Sequence, residues 1–273
     1  MAEKVDRNSL PDIQNTKDNR GKAIERVGVE NVIIPLKIRR KNIEDNLPTT
    51  VQATVSMYIG IGEEITGANM SRFIQSLMKY QDQTLSSVSL KSIMETMLKK
   101  LGATDGFIKL SFKYFVERFA PVSNTRAIQG YNCAFIGKMK NNDYTFVTEV
   151  NVTGTTACPC SKEISNYGAH NQRNHTRVRI VPATEKLYWL EDIIDLIESQ
   201  YSCPIFPVLK REDEKWVTET AYENPKFVED ISRDIALKLD SKNIEHYHIR
   251  TSADESIHLH QAVAVLSKNW ILE

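Results

Sequence analysis

The order in which strands and helices are predicted constrains the fold of this chain more than any other feature of its sequence. Two runs rich in β-branched residues predict strands, and two segments with apolar residues at helical spacing then predict helices. Strand-forming sequence follows again and contains a hairpin turn, KNND, at 140–143. These segments are residues 30–41 and 49–62 (strands), 69–81 and 90–103 (helices), and 107–119 and 126–154 (strands).

The second half of the chain repeats this order with a strand, two helices and closing strands. The second of these helices is predicted to begin with Asn224 as its cap and Pro225 at its first position. Such an order is typical of an α+β fold in which antiparallel sheets carry paired helices on one face. We therefore predict a polar N-terminal arm over 1–26 and two tandem α+β units over 27–150 and 151–273. The segments of the second half are 175–182, 187–200, 224–240 and 245–267.

The charge balance argues against nucleic acid and membrane partners. The chain has 35 basic and 35 acidic side chains, so no broad positive field would attract duplex DNA or an anionic membrane. No apolar run is long enough to span a bilayer, and the N-terminal residues contain no apolar signal segment. We therefore expect a cytoplasmic protein, in which thiols stay reduced and Cys158 and Cys160 form no disulfide.

The segment TTACPCSKEISNYGAHNQR contains two cysteines and a histidine and is the first candidate for chemistry. Thiolate and imidazole are ligands suited to Zn²⁺ or another late divalent metal, so Cys160 and His170 could belong to a metal site. The alternative is that Cys158 and Cys160 are small buried hydrophobic residues. The other two cysteines lie in apolar sequence and are predicted to be core residues.

Two histidine pairs compete for a functional role. His258 and His260, in ESIHLHQ, would project to the same side of a strand, where they could bind a metal or relay protons. His246 and His248, in HYHIR, would share a face in the same way. Spacing alone does not choose between the pairs, and an exposed strand face often carries such a pair without function.

A run of three acids, Glu212 to Glu214, lies in the segment LKREDEKWVTE. Charge runs are typical of solvated loops, but if one carboxylate turned inward, Glu214 could complete a Cys–His–carboxylate metal set. Glu229 lies four residues before Arg233 in a predicted helix, and an ordinary i,i+4 ion pair is its simplest explanation. The sequence contains no P-loop, GxGxxG or GxSxG motif, which excludes the commonest nucleotide-binding folds and serine hydrolases.

Seven short motifs occur in an order that resembles one known family. They are PDIQ, MSRF, TACPCSKEIS, GAHNQR, LKREDEKWVTE, NPKFVED and ESIHLH. Together they resemble the type IB GTP cyclohydrolases, a bacterial family that opens GTP at the first step of folate synthesis, over nearly the whole chain from Pro11. The resemblance implies the tunnelling fold, with two units per chain, and a homotetramer whose active sites lie between subunits. One departure is Asn69, because the family pattern has a histidine before MSRF.

The resemblance also implies roles for individual residues. Cys160 matches a metal-contacting thiolate, and His170 and Glu214 match the other ligands of a divalent metal, which is Zn²⁺, Mn²⁺ or Fe²⁺. Glu229 matches a carboxylate that binds the guanine edge, since only a carboxylate accepts two parallel N–H bonds. The residues implied in proton transfer are His258, His260 and Glu255. The candidates for binding the triphosphate are Arg72, Lys162, Arg173, Lys210 and Arg211.

The implied reaction opens the imidazole ring of GTP at C8, releases that carbon as formate and gives 7,8-dihydroneopterin triphosphate. A divalent metal would supply the activated water, and histidines titrate close enough to neutral pH to move the protons. Two alternatives remain: an archaeal-type relative that yields a cyclic phosphate product, and a non-catalytic tunnelling-fold protein that binds a purine or pterin. A complete ligand set argues against the second, because a binding protein would not need the metal.

Overall fold

The computed structural model describes residue 14 and residues 16–41, 47–183 and 188–270. The strands in this part of the chain are β1 (Ile24–Ile38), β2 (Thr49–Ile61), β3 (Gly106–Phe119), β4 (Arg126–Lys140), β5 (Asp143–Ala157), β6 (Asn171–Ile180), β7 (Cys203–Pro204), β8 (Tyr247–Glu255) and β9 (Gln261–Lys268). The helices are α1 (Met70–Met78), α2 (Ser87–Leu101), α3 (Pro159–Ile164), α4 (Leu190–Glu198), α5 (Arg211–Glu223) and α6 (Val228–Ser241). Among the described residues, no helix is long and apolar enough to cross a membrane.

These nine strands form one antiparallel sheet. Its order is β1-β2-β3-β4-β5-β6-β8-β9, and the short β7 pairs with β5. The predicted KNND turn joins β4 to β5, and its Asn141 and Asn142 have φ angles of 49° and 69°. Both angles lie in the left-handed region that a two-residue type I′ turn requires and that asparagine tolerates better than most residues. The hairpin prediction is confirmed, and this turn connects the first four strands to the rest of the sheet.

The helices cover one face of the sheet. Side chains alternate along each strand, so in β6 Val178 and Ile180 are buried, whereas Arg173 and His175 are exposed on the opposite side. Buried apolar side chains of the strands and of α1, α2, α4 and α6 form the core between sheet and helices. The predicted α+β class with an antiparallel sheet is therefore confirmed. We call the side of the sheet without helices the open face.

The order strand–strand–helix–helix–strand–strand occurs in each half, and the second half contains three additional elements, α3, β7 and α5. The predicted boundary after residue 150 falls inside β5, and both halves share one sheet, so the division into two units stays a prediction. Most of the predicted arm over 1–26 lies outside the described residues, and its last three residues belong to β1.

Two local predictions in the second half are wrong. The charged segment 209–219 was expected to be a loop, but most of it belongs to α5. Helix α6 begins at Val228 and not at Pro225, because Asn224 ends the preceding helix α5. The Asn224 side chain donates from Nδ2 to the carbonyl oxygen of Tyr201 (3.1 Å), a contact that sequence spacing does not reveal.

Strand register places the motifs at two opposite ends of the sheet. One end, which we call the cysteine end, contains the paired residues Ala157 and Asn171 and the last residue of β8, Glu255. The other, which we call the hairpin end, contains the β4–β5 turn and the start of β3, where Gly106 pairs with Met139. Strand β5 connects the two ends over 15 residues, roughly 45–50 Å of extended chain.

Candidate active site

A short helix after β5 gives the two neighbouring cysteines different roles. Cys158 is buried as the N-cap of α3, and its Sγ accepts a hydrogen bond from the backbone N–H of Ser161 at 3.5 Å. Pro159 follows at the first helical position, where its fixed φ favours the helix and no N–H is needed. Cys160 is exposed, with a free thiol. The fold therefore uses Cys158 for structure and leaves Cys160 available for chemistry.

His170 is held against the start of α3 by backbone contacts. The N–H of Cys158 donates to the carbonyl oxygen of His170 (3.0 Å), and the N–H of His170 donates to Oγ of Ser161 (3.2 Å). Nδ1 of the imidazole is buried and has no hydrogen-bond partner in the described part of the chain. Oε2 of Glu255 lies 4.0 Å from this nitrogen. A buried nitrogen without a partner, next to a carboxylate, is a geometry that a bound cation would satisfy.

Glu229 lies at the same end of the sheet with its carboxylate free. The N–H of Lys226 donates to the carbonyl oxygen of Ala157 (3.1 Å), which ties the start of α6 to the end of β5. Glu229 is exposed in the first turn of α6 and makes no hydrogen bond or ion pair with any described residue. Arg233 pairs with Asp230 (3.9 Å), so the i,i+4 ion pair between Glu229 and Arg233 is not formed.

His258 and His260 do not lie on a strand, so that prediction is wrong. Strand β8 ends at Glu255, where its pairing with β6 stops, and both histidines belong to the connection between β8 and β9. Their rings are nevertheless close, because they stack with centroids 4.7 Å apart and an angle of 15° between planes. Both rings are exposed at the cysteine end, next to Glu255 in the chain.

The competing pair, His246 and His248, makes packing contacts. Nδ1 of His246 is 2.8 Å from the carbonyl oxygen of Asn269. His248 lies against Trp270, with ring centroids 5.6 Å apart. Strand register places this pair at the hairpin end, because the neighbouring residue Tyr247 starts β8. The pair is therefore far from Cys160 and His170 within one chain.

The carboxylate that turns inward from the acidic run is Asp213. It is fully buried and accepts hydrogen bonds from the backbone N–H groups of Val122, Ser123 and Lys210 at 2.8–2.9 Å, and from Oγ of Ser123 at 2.6 Å. Burial alone would raise the pKa of Asp213, but these hydrogen bonds outweigh burial and hold the pKa well below its usual range. Glu214 is exposed in the first turn of α5, so its role as a ligand stays a prediction.

The chain places His170 against the start of α3, which contains Cys160, but it does not assemble the whole predicted ligand set. Among the described residues, no three side chains of His, Cys, Asp or Glu lie close enough to share one metal ion. Helix α3 contacts α5 through Lys162, whose Nζ donates to the carbonyl oxygen of Tyr222 (2.6 Å) and lies 4.5 Å from its ring centroid. Glu214 precedes Tyr222 by eight residues, roughly 12 Å along the helix.

Three of the five side chains predicted to bind the triphosphate are exposed on the second half of the chain. Arg173 is on the open face of β6, and Lys210 and Arg211 are at the start of α5. Lys162 is already engaged with the end of α5. The structure thus leaves Arg173, Lys210 and Arg211 more accessible to an anion than Lys162.

Arg72 lies at the hairpin end with the N-terminal motifs. Its Nη1 donates to the carbonyl oxygen of Lys100 (3.3 Å), and it lines a cavity of about 100 Å³ with Gln14 and Asn69. Only Gln14 of the PDIQ motif is among the described residues. Asn69 caps α1, since its Oδ1 accepts from the N–H (3.2 Å) and the hydroxyl (2.6 Å) of Ser71. Gln14 and the MSRF motif therefore lie together, but at the end of the sheet opposite the cysteine end.

Comparison with known proteins identifies the family. The family model described as type I GTP cyclohydrolase folE2 matches residues 10–264. This chain belongs to the FolE2 family. It is 41% identical over 261 residues to GTP cyclohydrolase FolE2 of Methylobacillus flagellatus, covering 95% of this chain and 96% of that protein. FolE2 of Fervidobacterium nodosum is 40% identical over 264 residues, covering 96% of this chain and 98% of that protein.

Solved structures show that this FolE2 family member has the fold of urate oxidases. Urate oxidase from Bacillus sp. TB-90 matches with a TM-score of 0.52 and 9% identity, over 89% of this chain and 99% of that chain. Uricase from Arthrobacter globiformis also matches with a TM-score of 0.52, at 7% identity, over 90% of this chain and 94% of that chain. At such low identity the likeness concerns the fold alone.

One hydrogen-bonded group in this FolE2 family member was not predicted from the sequence. Nδ1 of His175 is 3.1 Å from Oγ1 of Thr153, and its Nε2 is 3.0 Å from Oδ2 of Asp254. The other oxygen of Asp254 accepts from Nε2 of Gln261 at 2.6 Å. The signal was present in the alternation RNHTRVR, in which every second residue is basic, so that all four basic side chains lie on one face of β6.

Proposed function

We propose that this chain hydrolyses GTP to 7,8-dihydroneopterin triphosphate and formate at the first step of tetrahydrofolate biosynthesis. Membership of the FolE2 family makes it a GTP cyclohydrolase of folate biosynthesis. The observation that carries the assignment of the site is the buried Nδ1 of His170, which has no partner among the described residues and lies 4.0 Å from Glu255. The exposed thiol of Cys160 lies in the first turn of α3, and the neighbouring residues Cys158 and Ser161 hold the backbone of His170.

Cys160 and His170 would hold a divalent metal, which is Zn²⁺, Mn²⁺ or Fe²⁺. The donor set fits these ions, because an accessible thiolate and an unpartnered imidazole nitrogen are ligands that they bind in proteins. Glu214 is the proposed third ligand. When bound, the metal would supply the activated water that both hydrolytic steps need near neutral pH.

Glu229 would bind and orient the guanine base. Its carboxylate is exposed at the start of α6 and has no partner among the described residues, so it is free to accept the ring N–H and the exocyclic N–H of guanine. Binding at this edge would direct the opposite side of the purine, with C8, towards the remaining site residues. The tie between Lys226 and Ala157 supports this arrangement, because it brings the start of α6 to the end of the strand that leads to Cys160.

Glu255, His258 and His260 would move protons during ring opening and release of formate. An imidazole can accept a proton at one ring nitrogen and donate one from the other, so the stacked pair can pass a proton from one group to another. Glu255 lies 4.0 Å from Nδ1 of His170, and its carbonyl oxygen accepts from the N–H of His258 at 3.5 Å, so Glu255 would hold a proton or orient His170. The triphosphate would be bound by the cations Arg72, Lys162, Arg173, Lys210 and Arg211.

The proposal includes a homotetramer, with two tunnelling-fold units per chain and active sites between subunits. It is supported by the exposed apolar side chains on the last hairpin, since Leu259 and Val265 are among several that face solvent in the single chain. It is also supported by the separation of Arg72 from the cysteine end. A cytoplasmic location belongs to the proposal, because GTP is available there and the Cys160 thiol would stay reduced.

The test is to incubate the purified protein with GTP and Mn²⁺ or Zn²⁺ and to measure formate and the fluorescence of the oxidised pterin. We expect both products in equal amounts, and none after removal of the metal with a chelator. Mass spectrometry of the pterin distinguishes a linear triphosphate from the cyclic phosphate of an archaeal-type enzyme. Binding of GTP without release of formate in the presence of metal would contradict the proposal.

A further inference from the structure

One cavity of the described chain lies on the open face and is lined by several basic side chains. Its volume is about 720 Å³, within the range of small-molecule sites. Arg173, His175 and Arg177 of β6 and Arg250 of β8 line it together with polar side chains of β4 and β5. No Asp or Glu is among the described residues that line it. The proposed GTP cyclohydrolase chemistry does not use Arg177 or Arg250.

Arg177 and Arg250 are directly opposite each other in the β6–β8 pairing. Like charges in this position repel, because the Cβ atoms of such a pair are only about 5 Å apart. In the described part of the chain neither guanidinium has a hydrogen bond or an ion pair, and Nε of Arg177 is a buried donor without an acceptor. Both features are unfavourable unless an anion occupies the space between the two side chains.

Two acids on the same face of the sheet already have other partners. Glu149 is bound by Nζ of Lys109 (3.2 Å) and by Nε of Arg179 (2.5 Å). Asp254 is bound by His175 and Gln261. The two arginines therefore keep their charge without a counter-ion from these neighbours.

A neighbouring histidine, His248, has a lowered pKa, to which burial and the positive charge of the arginines both contribute. Burial lowers the pKa of His248, and the charges of Arg177, Arg179 and Arg250 lower it further. His248 is the strand neighbour of Arg250 on the same face, so its neutral form adds no repulsion. Arg179, which faces His248 across the ladder, is the one arginine of the group that has a carboxylate partner.

We propose that Arg177 and Arg250 form a binding site for a phosphate-class oxyanion on the open face. Two guanidinium groups on adjacent strands match the oxygen atoms of a tetrahedral phosphate, and each can donate two parallel N–H bonds. The ligand is inorganic phosphate or the phosphate chain of a nucleotide. The site is separate from the one that contains Cys160 and His170.

The experiment is isothermal titration calorimetry of the intact protein with inorganic phosphate, inorganic triphosphate and guanosine, against chloride at equal ionic strength. We expect phosphate and triphosphate to bind and guanosine not to compete with them. Arg177→Gln and Arg250→Gln should each weaken phosphate binding at least about tenfold, because a charge-assisted pair is lost. Lys113→Gln is the matched control, since it removes one positive charge from the open face outside this cavity and should change binding less than about twofold.

Thermal unfolding and GTP kinetics complete the test. Phosphate should raise the Tm of the wild-type protein but not of the two arginine variants, which also shows that the variants fold. The KM for GTP should be unchanged in both variants. Equal phosphate affinity in the arginine variants and the wild type would overturn the site, and so would an absence of phosphate binding by the wild type. A rise of KM for GTP in parallel with the loss of phosphate binding would show that the Arg177–Arg250 site is not separate from the active site.

Discussion

At the scale of single residues, local hydrogen bonds decide which of two neighbouring side chains of similar chemistry is available. Only Pro159 separates Cys158 from Cys160 in the chain. Cys158 nevertheless caps α3 from a buried position, whereas Cys160 faces solvent. The same holds for Asp213 and Glu214, of which only Asp213 turns inward to bind the turn between β3 and β4. Neighbouring positions on a helix point about 100° apart, so one of two adjacent acids can be structural while the other stays free.

Cys160→Ala should abolish turnover and lower the metal content of the purified protein, because it removes the thiolate ligand. Cys158→Ala should retain much of both and lower the Tm slightly, since it removes a weak helix cap. Formate release and metal analysis of the two variants, with circular dichroism as the folding control, measure the difference. Equal metal content in Cys160→Ala and the wild type would show that Cys160 is not a ligand.

Glu229→Gln should lower kcat/KM for GTP without changing metal content or assembly. The amide replaces one acceptor by a donor that points at a guanine N–H, which costs about 2–5 kcal/mol, or roughly 30- to several-thousand-fold. Steady-state kinetics measure this loss. Asp230→Asn is the matched control, because it removes a neighbouring carboxylate that already pairs with Arg233. Near-normal kcat/KM for Glu229→Gln would leave Glu229 an ordinary helix carboxylate.

At the scale of elements, the connection between β8 and β9 contains the histidine pair at the cysteine end. His258→Ala and His260→Ala should each lower kcat by roughly 100-fold or more, as expected for loss of a proton-transfer group. His246→Ala and His248→Ala should change kcat little, because that pair packs at the hairpin end. Kinetics of the four variants under saturating GTP separate the two pairs. Similar losses in all four would mean that neither pair is specific to catalysis.

Strands β3, β5 and β6 are tied together on the open face by one buried acid. Glu149 is bound by Lys109 and Arg179; burial alone would raise the pKa of Glu149, but the two cations outweigh burial and lower it. Glu149→Gln should cost roughly 2–4 kcal/mol of unfolding free energy at neutral pH, since it leaves two cations without their partner. Urea denaturation measures this loss, with the exposed Glu245→Gln as a control expected within about 1 kcal/mol.

The lowered pKa of Glu149 also predicts how its contribution to the free energy of unfolding depends on pH. A carboxyl group with a lowered folded-state pKa stabilises the protein above its unfolded pKa, near 4.5, and loses that contribution as pH falls further. The difference in stability between wild type and Glu149→Gln should therefore shrink as the pH is lowered below about 4.5. A difference that stays constant from pH 7 to acid would show that the loss reflects packing and not charge.

At the scale of the whole molecule, the sheet separates two groups of motifs. Arg72 and the cap of α1 lie at the hairpin end, whereas Cys160, His170 and Glu255 lie at the cysteine end. Strand β5 alone spans roughly 45–50 Å between these ends, so one chain cannot bring both groups to one GTP molecule. If both groups serve the same site, the hairpin end of one chain lies against the cysteine end of another.

Coexpression of two inactive variants tests this arrangement. Arg72→Ala and Cys160→Ala should each lack activity, whereas mixed oligomers should regain up to about a quarter of the wild-type rate by random assembly. Sedimentation should give a mass of four chains for both variants and for the mixture. A folded mixed tetramer without activity would show that Arg72 and Cys160 do not come from two different chains to form one active site.

The sequence by itself determined the class of the fold, the β4–β5 turn and the family. These features depend on local periodicity, on turn residues and on motif order, all of which can be read along the chain. The motif order was sufficient to predict Cys160, His170 and Glu229 as candidates, although the loop expected at 209–219, the start of α6 and the strand expected at His258 and His260 were wrong.

Only the tertiary structure decided how those candidates are arranged. Whether Asp213 or Glu214 turns inward depends on the turn at Val122 and Ser123, which lies about 90 residues away in the chain. His258 and His260 are in a connection because β8 stops pairing with β6 at Glu255, and register is a property of two strands. The opposition of Arg177 and Arg250 arises in the same way, since a cross-strand pair exists only after two distant segments have met.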